Sequence, residues 1–94
     1  MTLTMNDIVF LARLRTRGVS TSYELYAYGK TDDQWPLSMQ SVYRAAGRLL
    51  KSGYIDLLST DKASNGVTRK HLCINDEGVI ALGSLCDLIE KVSG

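Results

Sequence analysis

The segment 38–55 has the pattern of a capped amphipathic helix that leads directly into a strand. Ser38 is a suitable N-cap, because its hydroxyl can accept a hydrogen bond from a backbone N–H two or three residues further along. Leu37 can pack against Val42 across this cap, and Gly53 is suited to end the helix. Apolar residues recur at helical spacing and form one face, which consists of Val42, Ala45, Ala46, Leu49 and Leu50. The opposite side carries arginines and hydrogen-bonding groups, which indicates either a binding surface or an ordinary solvated face.

The length of 94 residues fits one domain with a single core. We therefore expect one unit over residues 1–94, with a core over 1–74 and a C-terminal helix over 75–94. We find no apolar run of about 18 residues for a membrane span and no leader for export, so we expect a cytoplasmic protein. The two cysteines and the one histidine cannot supply a set of metal ligands at the usual spacing. Free thiols, no metal site and no cofactor are expected.

Charge is distributed unevenly along the chain, although the formal net charge is only +1. Between residues 38 and 74, six basic and two acidic residues give a net charge of +4. From residue 75 to 94, one lysine and four acidic residues give −3, and the first 37 residues are balanced. A basic middle with an acidic end suits a surface that faces phosphate on one side only.

Two further helices are predicted before this segment. The first begins at Thr4, with Asp7 three residues later as a capping partner, and it ends at Gly18. Its buried stripe is predicted to consist of Ile8, Leu11, Ala12 and Leu14. The second covers 21–28 and ends near Gly29, and a polar loop with a single proline follows it.

After the helix, residues 54–60 have strand-like content, 61–66 form a turn, and 67–74 form a return strand. Asn65 and Gly66 suit the positive φ angles of such a turn. A charged hairpin is either a protected sheet edge or, after a basic helix, the wing of a winged helix-turn-helix. We predict a mainly α fold with a small β-hairpin (α+β), which is a winged helix-turn-helix of three helices, a two-stranded wing and a C-terminal dimerisation helix.

The last helix is predicted to be capped by Asn75 and to have an apolar surface wider than one small domain needs. Leu82, Leu85, Ile89 and Val92 recur along it at intervals of three and four residues. This surface either packs on the first helix or forms half of a homodimer interface. We prefer the dimer, because a helix that is apolar over most of its circumference must be covered on several sides.

Short motifs in a fixed order make the chain resemble the PadR-type winged helix-turn-helix transcriptional repressors over residues 21–82. They are SYEL at 22–25, WPLS at 35–38, SVYRA at 41–45, SGYI at 52–55 and TRKHLCINDEG at 68–78. The Tyr-Arg pair of the family's recognition helix falls on Tyr43 and Arg44, and the Arg-Lys pair of its wing falls on Arg69 and Lys70. The last helix of the family follows a Leu-Thr-x-x-Gly pattern, which here ends in Gly78.

The chain departs from the family inside the recognition helix. A large aliphatic residue usually follows Arg-Ala there, whereas this sequence has Ala46 and Gly47. Gly47 costs about 1 kcal/mol in helix propensity, and we expect the helix to pack closer to a neighbour at this point. Some family members bind flat hydrophobic ligands at the dimer interface, and the sequence does not indicate whether this chain does.

The resemblance implies that double-stranded DNA is the partner, with helix 38–51 in the major groove and wing 60–70 on the DNA backbone. Base contacts are expected from Ser38, Gln40, Ser41 and Arg44, because glutamine can pair bidentately with adenine and arginine with guanine. Tyr43 is expected either to contact phosphate or to act as an aromatic spacer. The other predicted DNA contacts are Arg48, Lys51, Lys62, Asn65, Arg69 and Lys70.

The alternative function is a protein-binding winged helix that docks a polymerase or another regulator without binding DNA. The near-neutral net charge favours this alternative slightly. An enzyme is not expected, because no motif places a nucleophile or a carboxylate beside the single histidine, and no glycine-rich phosphate loop is found.

Overall fold

A computed structural model describes residues 2–30 and 36–93 of the chain, with side chains as far as Ser84. The elements follow one another as α1 Met5–Arg17, β1 Val19–Ser20, α2 Ser22–Lys30, α3 Met39–Ser52, β2 Ile55–Lys62, β3 Thr68–Ile74 and α4 Asp76–Ser93. This order confirms the predicted fold class, in which three helices precede a hairpin and a last helix. The described residues form a mainly helical domain with a small antiparallel sheet.

Hydrogen-bonded caps define where α1 and α3 begin. Thr4 Oγ1 accepts from the backbone N–H of Asp7, and the Asp7 carboxylate accepts from the N–H of Thr4, so the two residues form a capping box. At the start of α3, Ser38 Oγ accepts from the N–H of Ser41 at 3.1 Å. Gly53 ends α3 with a φ angle of 84°, in the left-handed region that favours glycine. These caps confirm the predicted starts of both helices and the predicted end of α3.

The bounds of α2 agree with the prediction from the sequence within one or two residues. This helix begins with a second capping box, in which Thr21 Oγ1 accepts from the N–H of Glu24 and the Glu24 carboxylate accepts from the N–H of Thr21. The helix runs to Lys30, one residue past Gly29, near which the sequence predicted its end. Gly29 also provides space, since a Cβ at this position would lie 2.6 Å from Nη1 of the buried Arg13.

The hairpin belongs to a three-stranded antiparallel sheet in the order β1-β3-β2, rather than to an isolated two-stranded wing. Val19 pairs with Cys73 and Ser20 pairs with Leu72, so β1 joins the end of α1 to the base of the hairpin. A strand of two residues shows no period in a sequence, which is why the sequence did not indicate it. The pairing of β2 with β3 shifts register after Leu57, and this irregularity marks a bulge.

The hairpin turn is tighter than predicted, because β2 continues to Lys62 and β3 begins at Thr68. Gly66 has a φ angle of 84°, as expected. The same expectation is wrong for Asn65, since only glycines have a positive φ angle in the described part of the chain. Asn65 Oδ1 instead accepts from the N–H of Val67 at 3.1 Å. A short polar side chain that bonds the backbone two residues on stabilises a turn without a positive φ angle.

The core lies where the first three helices meet the base of the sheet. Its most deeply buried apolar side chains are Phe10, Leu11, Leu14, Leu25, Val42, Ala45, Leu49, Ile55 and Leu72. In α1, Phe10 occupies the core position that the sequence prediction assigned to Ala12, which is exposed. Leu82 of α4 is also only 6% exposed and belongs to this core. The single chain therefore already covers one residue that the sequence assigned to a dimer interface.

Asn75 connects the start of α4 to the junction between α3 and β2. Its Oδ1 accepts from the N–H of Gly78 at 2.9 Å, which confirms the predicted N-cap. Its Nδ2 donates to the carbonyl of Gly53 at 2.8 Å and to Asp56 Oδ1 at 3.1 Å. A Cβ at position 78 would lie 2.3 Å from the carbonyl oxygen of Tyr54, so the close approach of α4 to this junction requires glycine.

None of the described helices combines the length and the apolar character that crossing a membrane requires. The described residues also include no cluster of three or more His, Cys, Asp or Glu side chains suited to a metal ion.

Candidate nucleic-acid interface

The solvent-facing side of α3 is polar and cationic. Gln40, Arg44, Gly47 and Lys51 recur at intervals of three and four residues, so they lie along one exposed strip of the helix. Neither Arg44 nor Lys51 forms an ion pair with a carboxylate in the described part of the chain. Two positive charges are therefore available on this strip to a negatively charged partner.

The two serines at the start of α3 are engaged with each other. Ser38 Oγ accepts from the backbone N–H of Ser41 at 3.1 Å and donates to Ser41 Oγ at 2.9 Å. Ser38 thus has the capping role that the sequence predicted, and its hydroxyl already takes part in two hydrogen bonds. Ser41 is half-buried and lines a small hollow of about 210 Å³ together with Arg44. This hollow lies between α3 and the start of α1, where Thr4 and Asn6 complete its wall.

Arg48 lies against α1 rather than on the open strip. Its Nη2 donates to Asp7 Oδ1 and, at 3.2 Å, to Thr4 Oγ1. The Asp7 side chain is completely buried, whereas that of Arg48 is 48% exposed. A buried carboxylate requires such a partner, because an unpaired charge is costly in the interior. Arg48 therefore fixes the position of α3 against α1, and the predicted phosphate contact would compete with this ion pair.

Arg69 of the wing is held by a carboxylate on the neighbouring strand. Its Nε and Nη2 donate to the two carboxylate oxygens of Asp61, each at 2.9 Å, which is a bidentate pair. His71 Nε2 lies 3.3 Å from Asp61 Oδ1. The hydrogen bonds from Arg69 lower the pKa of Asp61 below its ordinary value, and His71 contributes to the same shift. The same hydrogen bonds raise the pKa of Arg69. The predicted DNA contact of Arg69 would therefore be made by a side chain whose orientation is already set.

The lysines of the wing are less constrained. Lys62 at the end of β2 and Lys70 in β3 are exposed, and neither forms an ion pair with a described residue. Side chains alternate along a strand, so Lys70 lies on the same face of β3 as the buried Leu72, which faces α3. Asn65, also a predicted contact, uses its side-chain oxygen to stabilise the turn.

A groove of about 670 Å³ separates α3 from the wing. Its α3 wall consists of Tyr43, Ala46, Gly47 and Leu50, and its β3 wall includes Thr68, Lys70 and Leu72. The first turn of α2 closes one side with Tyr23, which is 59% exposed. Sequence reasoning did not select Tyr23 as a contact, because a tyrosine in a short helix does not reveal which side of the helix is buried. The groove thus brings Tyr43, which is 53% exposed, and Lys70 to one surface.

Solved structures with the same architecture include several transcriptional regulators. Bacillus subtilis PadR, determined in complex with operator DNA, has a TM-score of 0.75 and 21% sequence identity, over 85% of this chain and 46% of that one. A transcriptional regulator from Clostridium thermocellum has a TM-score of 0.72 and 27% identity, over 92% of this chain and 83% of that one. A PadR family transcription regulator from Clostridium difficile has a TM-score of 0.74 and 21% identity, over 95% and 94% of the two chains.

The chain has a PadR-like winged-helix fold. It spans less than half of B. subtilis PadR but nearly the whole length of the C. difficile regulator. No family model matches the sequence, and no curated protein matches it either. The similarity to these regulators is therefore much clearer in the PadR-like fold than in the amino-acid sequence.

The last helix of this PadR-like domain carries the predicted dimer contacts. Leu82 lies in the core of the single chain, whereas Leu85, Ile89 and Val92 lie outside the part of α4 whose side chains are described. Ile80, one turn earlier than Ser84, is 62% exposed on the same helix. An apolar side chain in that position is consistent with a helix that has a further surface to cover.

Proposed function

We propose that this chain is a transcriptional regulator that binds double-stranded DNA and acts as a repressor. The observation that carries the proposal is that the exposed cationic strip of α3 and a wing with free lysines border one groove, which is lined by Gly47 of the strip and by Lys70 of the wing. A helix and a hairpin arranged in this way can enter the major groove and contact the adjoining backbone. The complex of B. subtilis PadR with operator DNA supports this use of the fold.

Within this proposal, the residues of α3 and of the wing have different roles. Gln40 and Arg44 read base edges, because they are exposed near the N-terminal half of α3 and have the donors for bidentate pairing. Lys51, Lys62 and Lys70 contact phosphates, which adds affinity without sequence preference. The hydrogen bonds of the remaining predicted contacts favour positioning roles for Arg48, Arg69, Ser38 and Asn65.

We further propose that two chains form a homodimer through α4. A two-fold dimer presents two recognition helices and therefore fits an approximately palindromic operator. The exposed Ile80 supports an apolar contact along α4. As a repressor, such a dimer would act by occupying its operator, and in vitro transcription from a promoter that contains the selected site tests that role directly.

The test of DNA binding begins with selection of duplexes from a genomic library by the wild-type protein. Binding of a selected duplex and of a scrambled duplex is then measured by fluorescence anisotropy at about 50 and about 200 mM salt. Arg44→Ala is expected to weaken binding of the selected duplex by ~1–3 kcal/mol and to relax sequence preference. Lys70→Ala is expected to weaken both duplexes alike and to reduce the slope of log affinity against log salt by about one.

Lys30→Ala is the matched control. Lys30 is an exposed cation at the end of α2 away from the groove, so its removal is expected to leave DNA affinity unchanged. Equal and unselective losses from Arg44→Ala and Lys70→Ala would contradict a base contact by Arg44. Failure of the wild type to bind any duplex at low salt would instead favour a winged helix that docks another protein.

A further inference from the structure

Gly47 lies in the middle of α3, and neither its backbone conformation nor a close contact within the folded chain gives a reason for a glycine there. Five other described glycines have one: Gly18, Gly53 and Gly66 have positive φ angles, and Gly29 and Gly78 face atoms that a Cβ would overlap, whereas Gly83 on α4 shares the open surroundings of Gly47. Gly47 has an ordinary helical backbone, and a Cβ built on it would meet no described atom within 4 Å. The sequence-based expectation that α3 packs closely against a neighbour at Gly47 is therefore wrong.

A glycine in a helix interior destabilises the helix relative to alanine, because the unfolded chain has more freedom to lose. At an exposed position with empty space around it, alanine would fit and would stabilise α3. The lack of a side chain at position 47 thus has a cost to folding that no internal contact offsets. A partner that approaches the helix at this point provides a physical reason for it.

The surroundings of Gly47 indicate the chemistry of that partner. Arg44 precedes it by three residues and Lys51 follows it by four, so two cations without ion-pair partners in the described chain flank it on the exposed strip. On its other side, Gly47 forms part of the wall of the groove, beside Tyr43. The position is therefore a gap in the side chains of α3, bordered by positive charge and open to the wing.

We propose that double-stranded DNA makes its closest approach to α3 at Gly47, with one sugar–phosphate strand passing over this residue into the groove between α3 and the wing. This inference rests on the proposed function and specifies its geometry. The apolar floor of the groove, which includes Ala46 and Leu50, suits the faces of deoxyribose rings. The rim, with Lys70 and the hydroxyl of Tyr43, suits phosphate oxygens. Gly47 is thus an affinity-determining residue that acts through the absence of a side chain.

The experiment compares two glycine substitutions that relieve the same helix-propensity cost. Gly47→Ala and Gly83→Ala both add a Cβ in a helix interior where no described atom lies within 4 Å. Both are expected to raise the melting temperature. Gly47→Ala is expected to weaken binding of the selected duplex about tenfold, an effect comparable with one mismatched base pair, and Gly47→Leu is expected to weaken it further. Gly83→Ala, on α4, is expected to bind DNA like the wild type at the same state of association.

Each outcome bears on a different statement. Suppose that Gly47→Ala is more stable than the wild type, and that Gly47→Ala and Gly47→Leu both bind the selected duplex as tightly as the wild type. This result overturns the close approach of DNA at Gly47 and leaves DNA binding itself intact. Lower affinity without a rise in melting temperature also overturns it, since the loss would then reflect damage to α3. A wild type that binds no duplex overturns the proposed function and this inference with it.

Discussion

Asp7 lies where the start of α1 meets the middle of α3, and it serves both helices. One carboxylate oxygen accepts from the backbone N–H of Thr4 at 2.9 Å, and the other accepts from Arg48. The helix cap and the interhelical ion pair therefore share one buried side chain, which is 0% exposed. Because α3 carries the proposed base contacts, this residue sets the angle at which they are presented.

Arg48→Ala is expected to lower the free energy of unfolding by about 1–3 kcal/mol, since it leaves the buried Asp7 oxygen without its charged donor. The loss is smaller than for a fully buried pair, because the Arg48 side chain is 48% exposed and its charge is partly screened by solvent. Urea unfolding followed by circular dichroism measures the change. Arg44→Ala, one turn earlier on the same helix and without an ion pair, is expected to change stability by less than about 0.5 kcal/mol. Equal effects of the two variants would show that the Asp7–Arg48 pair does not stabilise the fold.

At the scale of secondary-structure elements, local chemistry made the helix starts predictable. Thr4, Ser38 and Asn75 are caps whose side chains satisfy backbone N–H groups within three residues, so the signal is contained in a short stretch of sequence. The role of Gly29 was not predictable, because it depends on the Arg13 side chain that α1 brings near it. The same is true of Arg48 and Arg69, whose carboxylate partners are 41 and 8 residues away in the chain.

The wing contains a pH-sensitive element, which is the Asp61 carboxylate between Arg69 and His71. Hydrogen bonds from Arg69 hold its pKa below the ordinary value of 3.8. Since the folded pKa is lowered, the pair stabilises the hairpin above pH ~4. This stabilisation is lost as the pH falls through the lowered, folded-state pKa.

We expect an NMR titration of the Asp61 carboxyl group to give a midpoint below 3.8 in the folded protein. In an Arg69→Gln variant, the midpoint is expected to move up, because the largest cause of the shift has been removed. A midpoint at or above the ordinary value in the wild type would show that the Asp61–Arg69 pair does not persist in solution. An unchanged midpoint in Arg69→Gln would show that another group causes the shift.

At the scale of the whole molecule, the proposed dimer determines how strongly one small domain can hold DNA. One such domain buries little surface on a duplex, and linking two of them raises the affinity without any new contact. Leu82 shows that α4 is anchored to the rest of the chain, since it is buried in the common core. A dimer through the rest of α4 would therefore hold both recognition helices in a fixed relation.

Replacement of Leu85 and Ile89 by glutamate is expected to give a folded monomer with weak DNA binding, because charges cannot be buried in an apolar interface without partners. Sedimentation measures the association state, and circular dichroism confirms that the chain is folded. The operator selected by the wild type is expected to contain two half-sites about one helical turn, or 10–10.5 base pairs, apart. Sedimentation of the wild type as a monomer at high micromolar concentration, or a selected site without any symmetry, would contradict the dimer.

The width of the sheet changes along the wing. Near the helices, Leu72 and Cys73 of β3 have strand partners on both sides, whereas from Thr68 to His71 only β2 pairs with the strand. A two-stranded ribbon has two open edges and little to resist twisting, since isolated hairpins are only marginally stable in water. The wing is therefore stiff at its base and compliant at its tip. In the proposed DNA complex, a wing of this kind would let the recognition helix α3 keep one register on the duplex while the tip of the hairpin adjusts to grooves of different width.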